Sequence, residues 1–345
     1  LGKSFPHLEI TWIVEEMSAP MVTGNPYLHE VYVIPAEFRK RRKSTQGFKQ
    51  FLGLRTELQK YRFDVSIDLQ GLSKSALVAW STGAKYKYGY DWLRELAPFI
   101  ETRVPRQPRS VHIIDQFLDV AHFLGANVSN PEFPIHIPDE STERANELLN
   151  EVGVDSAKPF IVINPSTGGG GHMGGGAAHF AELLRLLPPH IDDPIVLIGS
   201  KGDLTVAEEL ASLSSRPMHS LVGKTNLKEL AAVLKTSRLH ICGDTGSAHM
   251  AAALGTRVVS IFGRSNPDRL APYGQERWVA HRRECCHEVC LKFHESAPVN
   301  SKQKCLAPPP ACLAAVKAEQ VLEKVLDALD EKPAASDRQT ECSPA

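Results

Sequence analysis

Two rhythms of apolar residues alternate along the chain. Short, almost continuous apolar runs occur at 9–15, 30–34, 63–69, 160–164, 194–199, 239–242 and 258–262. Runs of this length, rich in Val, Ile, Leu and Phe, are expected of strands buried on both faces of a parallel sheet. Between them lie stretches whose apolar residues recur with helical spacing: 46–61, 72–80, 112–124, 141–152, 179–187, 206–213, 247–254 and 318–329. The first of these sets Phe48, Phe51, Leu52, Leu54 and Leu58 on one side. Ser141 reads as the cap of its helix, with Glu143 and Glu147 near the start, and Thr225 as the cap of the helix before 239. Strand and helix alternate in both halves, which predicts an α/β protein with two doubly wound parallel sheets. A proline-bearing crossing holds Pro131, Pro134 and Pro138, and a polar linker covers 155–159. Residues 1–153 are therefore assigned to an amino-terminal Rossmann-like domain and 154–330 to a carboxyl-terminal one. The polar, Pro- and Ala-bearing end at 331–345 reads as a disordered tail.

The chemistry concentrates where the run at 239–242 ends. Gly243, Asp244, Thr245 and Gly246 form a turn, a small-residue helix follows over 247–254, Gly255 stops it, and a further strand runs over 258–262. In open α/β sheets, ligands sit beyond the carboxyl ends of the strands. A helix that begins there offers backbone N–H groups and partial positive charge to an anion, above all a phosphate. Gly246 allows close approach, Thr245 and Ser247 add hydroxyls, and Asp244 and His249 stand at the mouth. Capping by Asp244 and a surface role for His249 are the plain alternatives on spacing alone.

Composition narrows the field. The 345 residues are 42% hydrophobic and 23% charged, and 39 Lys and Arg nearly balance 40 Asp and Glu. That is a globular composition without a field for nucleic acid. No apolar run is long enough to cross a bilayer, and no secretory signal opens the chain. No Walker A sequence occurs, and the only Gly-x-Gly-x-x-Gly match lies trivially inside the glycine run of 168–176, so neither an ATPase nor a dehydrogenase is expected. The chain has seven cysteines, among them Cys285, Cys286, Cys290, Cys305 and Cys312 close together. Their gaps are not those of a zinc knuckle, and they read as reduced thiols rather than a metal site. The basic run at 39–43 is either a solvated loop or a contact for anionic lipid.

The segment from Asp244 to His249, with Ala251 to Gly255, Val258 to Gly263 and Asn266-Pro267, resembles the donor-site signature of the glycosyltransferase family 9 heptosyltransferases. The resemblance continues at Asp68-Leu-Gln-Gly-Leu-Ser-Lys-Ser75, at Lys85 to Tyr90, at Arg94-Glu95 and at Pro165-Ser166-Thr167. It implies the GT-B architecture, in which two Rossmann-like domains face a cleft. It also implies a metal-independent, inverting transfer of heptose from ADP-heptose to the Kdo or heptose of a lipid A–Kdo type acceptor. Ser166, Thr167, Ser200, Asp244, Thr245, Gly246, Ser247 and His249 would bind the donor, and Asp68, Gln70 and Lys74 the acceptor. No metal and no cofactor are expected. The enzyme would be cytoplasmic, with peripheral contact to the inner membrane. Two departures stand out. Relatives carry a Lys or Arg followed by Trp where this chain has glycines around His172 and Met173. The family's Asp base sits in a loop after its first strand, and both are expected to lie before Leu1, so no catalytic residue is assigned and this chain is expected to transfer little without them. A catalytically inactive GT-B module and a nucleotide-sugar epimerase are the alternative readings.

Overall fold

The computed structural model describes residues 1–34, 45–166, 176–189, 191–263, 265–281 and 316–330. The basic run at 39–43, Thr167, nearly all of the glycine run, the five crowded cysteines and the tail lie outside the described residues.

Six parallel strands carry the carboxyl-terminal half. They are β6 (Ile161–Asn164), β7 (Ile195–Leu197), β8 (Met218–Ser220), β9 (Leu239–Gly243), β10 (Val258–Phe262) and β11 (Val279–His281). Their order is β11-β10-β9-β6-β7-β8. The first strand in sequence thus lies in the middle, pairing with β7 on one side and β9 on the other. This is the doubly wound arrangement, and its topological switch point falls between β6 and β9.

Side chains alternate across the sheet, so each strand feeds two cores. On one face Ile161, Ile163, Leu239, Ile241 and Ile261 pack with Phe180, Leu183 and Leu184 of α6 (Gly176–Leu186), Leu210 of α7 (Leu204–Leu213) and Val321 and Val325 of α11 (Ala318–Asp330). On the other, Phe160, Val162, Val196 and Val258 pack with α5 (Asp139–Glu151), α8 (Leu227–Thr236) and α9 (Gly246–Ala253). Ala145, Leu148 and Leu149 of α5 belong to this core although they precede the linker at 155–159. Both faces are covered, which is why these strands read as unbroken apolar runs.

The amino-terminal half has two parallel pieces. β1 (Thr11–Glu15) pairs with β2 (Glu30–Ile34), and β3 (Val65–Asp68) pairs with β4 (Tyr86–Gly89), which pairs with β5 (Thr102–Arg103). A cavity of about 1790 Å³ opens between β1 and β3 and is lined by both strands, by Val78 of α3 (Ser73–Ser81) and by Leu118 and Ala121 of α4 (Ile113–Phe123). The remaining helices are α1 (Ala19–Val22), α2 (Thr45–Gln59) and α10 (Pro267–Leu270).

Two expected caps are corrected. Ser141 lies inside α5 and is buried, Pro138 precedes the helix, and Asp139 and Glu140 occupy its first turn. Asn226, not Thr225, caps α8, accepting from the N–H groups of Lys228 and Glu229 while Glu229 reaches back to the Asn226 N–H. An amide oxygen with a Glu three residues on satisfies two free donors reciprocally, which the Thr hydroxyl one residue earlier does not.

Ile241 is fully buried in the centre of the sheet, whereas Leu52 is 45% exposed. Ile241→Ala is expected to lower unfolding free energy by about 2–5 kcal/mol, and Leu52→Ala to change it by under about 0.5 kcal/mol, in urea titrations.

Candidate active site

The switch point is held by a buried polar chain that begins at His240. This imidazole is fully buried in β9. Its Nδ1 lies 3.2 Å from the Val162 carbonyl, so Nδ1 carries the proton and Nε2 accepts from the Ser247 hydroxyl at 3.0 Å. Ser247 Oγ in turn accepts from the Thr245 hydroxyl at 2.9 Å and from Asn164 Nδ2 at 3.2 Å. Asn164 Oδ1 then accepts from both the amide and the hydroxyl of Ser166, at 3.1 and 2.8 Å. Every donor in the chain has an acceptor, provided that the imidazole is neutral. Burial secures that, pushing His240 down to about 4 against the modest opposing pull of the Val162 carbonyl.

This chain ties the ends of β6 and β9 to the start of α9. Thr245 donates to Ser247, and its side chain makes no capping hydrogen bond to α9. The first turn of the helix is left without a side-chain cap, and its amides and partial positive charge face outward. Gly246 is exposed, and a Cβ added there would meet nothing within 4 Å. Asp244 is half-buried beside it, and His249 stands at the surface one turn on. Desolvation lowers the His249 pKa, Asp244 opposes that shift, and His112 of the other half adds to it.

Of the residues assigned to the donor, Ser166, Asp244, Thr245, Gly246, Ser247 and His249 come together at the switch point. Ser247 is buried and its hydroxyl is committed within the protein. Ser200 lies at the end of β7, where its amide and hydroxyl both donate to Asp203 at 2.7 Å. Thr167 lies outside the described residues. Sequence reasoning missed Asn164 and His240, whose signal was a polar residue inside an otherwise apolar strand.

The residues assigned to the acceptor sit at the carboxyl end of β3. Asp68 is buried, and its Oδ1 accepts from the amides of Gln70 and Gly71 at 2.7 and 3.1 Å. Gln70 is exposed on the turn, and Lys74 of α3 pairs with Glu15 of β1 at 3.1 Å. Beside Asp68 lies Glu101, only 6% exposed and unassigned from sequence. With both carboxylates ionised, Asp68 Oδ2 and both Glu101 oxygens lack hydrogen-bond partners. One retained proton turns Glu101 into a donor toward Asp68 and removes the repulsion. Burial, then the neighbouring Asp68, accordingly raises Glu101 to about 8. Room for this carboxyl exists because position 89 is glycine: a Cβ on Gly89 would stand 2.8 Å from Glu101 Oε2.

One segment of the carboxyl-terminal half, α10 and the residues just after it, joins the two halves. His112 Nε2 donates to the Ala271 carbonyl at 2.9 Å, and the Tyr273 hydroxyl donates to Asp115 at 2.8 Å. Arg269 lies over the Trp92 ring, 3.6 Å from its centroid. On the far side of the interface the Lys228 ammonium donates to the carbonyls of Thr23 and His136. Among the described residues no group of three or more His, Cys, Asp or Glu side chains is close enough to hold a metal ion, and no helix is long and apolar enough to cross a membrane.

Two Rossmann-like units joined across their strand ends give the GT-B architecture. Residues 51–297 match the model of glycosyltransferase family 9 (heptosyltransferase), and the chain belongs to this family. It is 26% identical over 278 residues to the lipopolysaccharide core heptosyltransferase OpsX of Haemophilus influenzae, covering 78% of this chain and 74% of that one. It is 25% identical over 286 residues to lipopolysaccharide heptosyltransferase 1 of Escherichia coli K12, covering 80% and 85%. Among solved structures, a family 9 glycosyltransferase from Veillonella parvula superposes with a TM-score of 0.74 at 20% identity, covering 95% of this chain and 90% of that one. The E. coli heptosyltransferase WaaC with ADP gives a TM-score of 0.65 at 22% identity, covering 95% and 92%.

Glu101 and His240 impose opposite slopes on stability. Glu101 is held protonated to about pH 8 against an ordinary 4.5, so its protonated native form loses stability as pH climbs through that window. His240 stays neutral down to about 4 against 6.5, so stability falls as pH drops through that lower window. The two cancel between, and the expected profile falls only above about pH 6.5, by about 2 kcal/mol at pH 8. Glu101→Gln is expected to abolish that alkaline fall in urea titrations at pH 5, 6.5 and 8. An unchanged profile in the variant would refute the assignment.

Proposed function

We propose that this enzyme transfers heptose from ADP-heptose to the Kdo or heptose of a lipopolysaccharide inner core, with inversion and without a metal. The observation that carries the reading is the coincidence of three features: the switch point of the second sheet, an uncapped helix start and open space above Gly246. The OpsX and heptosyltransferase 1 relatives support the sugar and the acceptor class by their names. In this reading the amides at the start of α9 receive the diphosphate and stabilise the negative charge that grows on it as the anomeric bond breaks. The acceptor hydroxyl attacks from the side of Asp68 and Gln70. His249 and Asp244 line the donor.

The diphosphate assignment has a direct test. A methyl added at Gly246 costs the fold nothing, since it meets open space, but it stands where the phosphates approach. Gly246→Ala is expected to keep the wild-type melting temperature and to weaken ADP at least tenfold by calorimetry. Undiminished ADP affinity in this variant overturns the assignment, while ADP binding without any transfer from ADP-heptose marks an inactive module.

A further inference from the structure

Arg269 is a buried cation that makes no salt bridge among the described residues. It is 8% exposed, and its Nε has no hydrogen-bond partner among the described residues. A desolvated guanidinium left unpaired is costly, and proteins keep such groups where an anion completes them. Its surroundings add positive charge rather than remove it. Burial, first of all, lowers its pKa to about 10; Tyr90 opposes the shift, Arg106 and Arg94 reinforce it, and Asp91 opposes it weakly. Asp91 is already shared, lying 3.9 Å from Arg106.

The position of this cation is informative. Arg269 comes from α10, beyond the carboxyl end of β10, and stacks on Trp92, beyond the carboxyl end of β4. The turn after β3 abuts the same loop: Arg94 N donates to the Gly71 carbonyl at 2.9 Å, and a Cβ on Gly71 would lie 2.6 Å from the Trp92 carbonyl oxygen. Arg269 thus extends from the donor-side half to the Trp92 loop, which abuts the turn after Asp68 and Gln70. Its planar face is held by the indole, which leaves the edge with the N–H fork free for a planar oxyanion.

We propose that Arg269, steadied by Trp92 and backed by Arg94 and Arg106, is a subsite for an oxyanion carried by the acceptor sugar, a carboxylate or a phosphate. This rests on the transfer reaction proposed above only for the word acceptor; the anion site itself does not need it. Arg269 acts as a positioning residue that fixes the acceptor relative to the donor-side half.

The test is a binding cycle on the full chain with its donor site saturated by ADP. Kdo, its neutral methyl ester and inorganic phosphate are titrated by calorimetry into wild type, Arg269→Gln and Arg269→Lys. Wild type is expected to bind Kdo or phosphate, and to prefer Kdo over its ester at least tenfold if the anion is a carboxylate. Arg269→Gln is expected to lose that preference or the phosphate binding, and Arg269→Lys to retain part of it. ADP affinity unchanged in both variants shows that the fold persists. A purely structural role weakens charged and neutral ligands alike, and that result overturns the proposal, as does a wild type that binds neither anion at 10 mM. Anion binding lost with Arg269 in a protein that transfers no heptose refutes the reaction alone. Transfer with the preference intact in Arg269→Gln refutes the subsite alone.

Discussion

A neutral, fully buried histidine governs the geometry of the switch point in the carboxyl-terminal sheet. His240 accepts from Ser247 because its other nitrogen is spent on the Val162 carbonyl, and that forces the Ser247 hydrogen inward. With that lone pair and hydrogen committed, Thr245 and Asn164 must donate to Ser247, and Asn164 must present its oxygen to Ser166. One protonation state thus propagates through five side chains and fixes two strand ends and a helix start. The Thr245 side chain makes no capping hydrogen bond to α9, so the amides of Gly246 and Ser247 carry no side-chain cap. A buried polar network is stable when its members are paired, and this one pairs its five side chains within the protein.

The amino-terminal half follows a different logic. Its sheet is split, its apolar cluster around Tyr90, Val104 and Val120 is small, and its buried polar groups are not all matched. Asp68 and Glu101 are reconciled by a proton rather than by a donor group. That makes the end of β3 titratable in a range where His240 is already neutral.

The parts legible in the sequence are those where one physical demand dominates. β6, β7, β9 and β10 are buried on both faces and read as apolar runs, and α4, α6 and α11 read from their spacing. β4, β5, β8 and β11 were not assigned as strands. β4 alternates Tyr-Lys-Tyr-Gly, β5 has two residues, and β8 and β11 are three-residue edges of the large sheet, so none carries an apolar run. The strand–turn–helix unit from Leu239 to Ala253 was readable because glycine, hydroxyls and a helix start coincide in one segment. Asn164, Glu101 and Arg269 were not, since each acquires meaning only from a residue far away in sequence: Ser247, Asp68 and Trp92.

The segment from Asn266 to Tyr273 joins these two logics. It leaves the strand next to the switch point, is started by the Asn266 side chain accepting from the Asp268 amide, and then crosses to His112, Asp115 and Trp92. Two of these three contacts are hydrogen bonds that match a donor with an acceptor, His112 with a carbonyl and Tyr273 with the Asp115 carboxylate. The third is a guanidinium lying on an indole, which satisfies the face of the cation but not its edge. If the segment served only to join the halves, an apolar side chain at position 269 would pack on Trp92 without the desolvation cost of a charge. An arginine there, among other arginines, is explained when the interface between the halves is also where an anion is received.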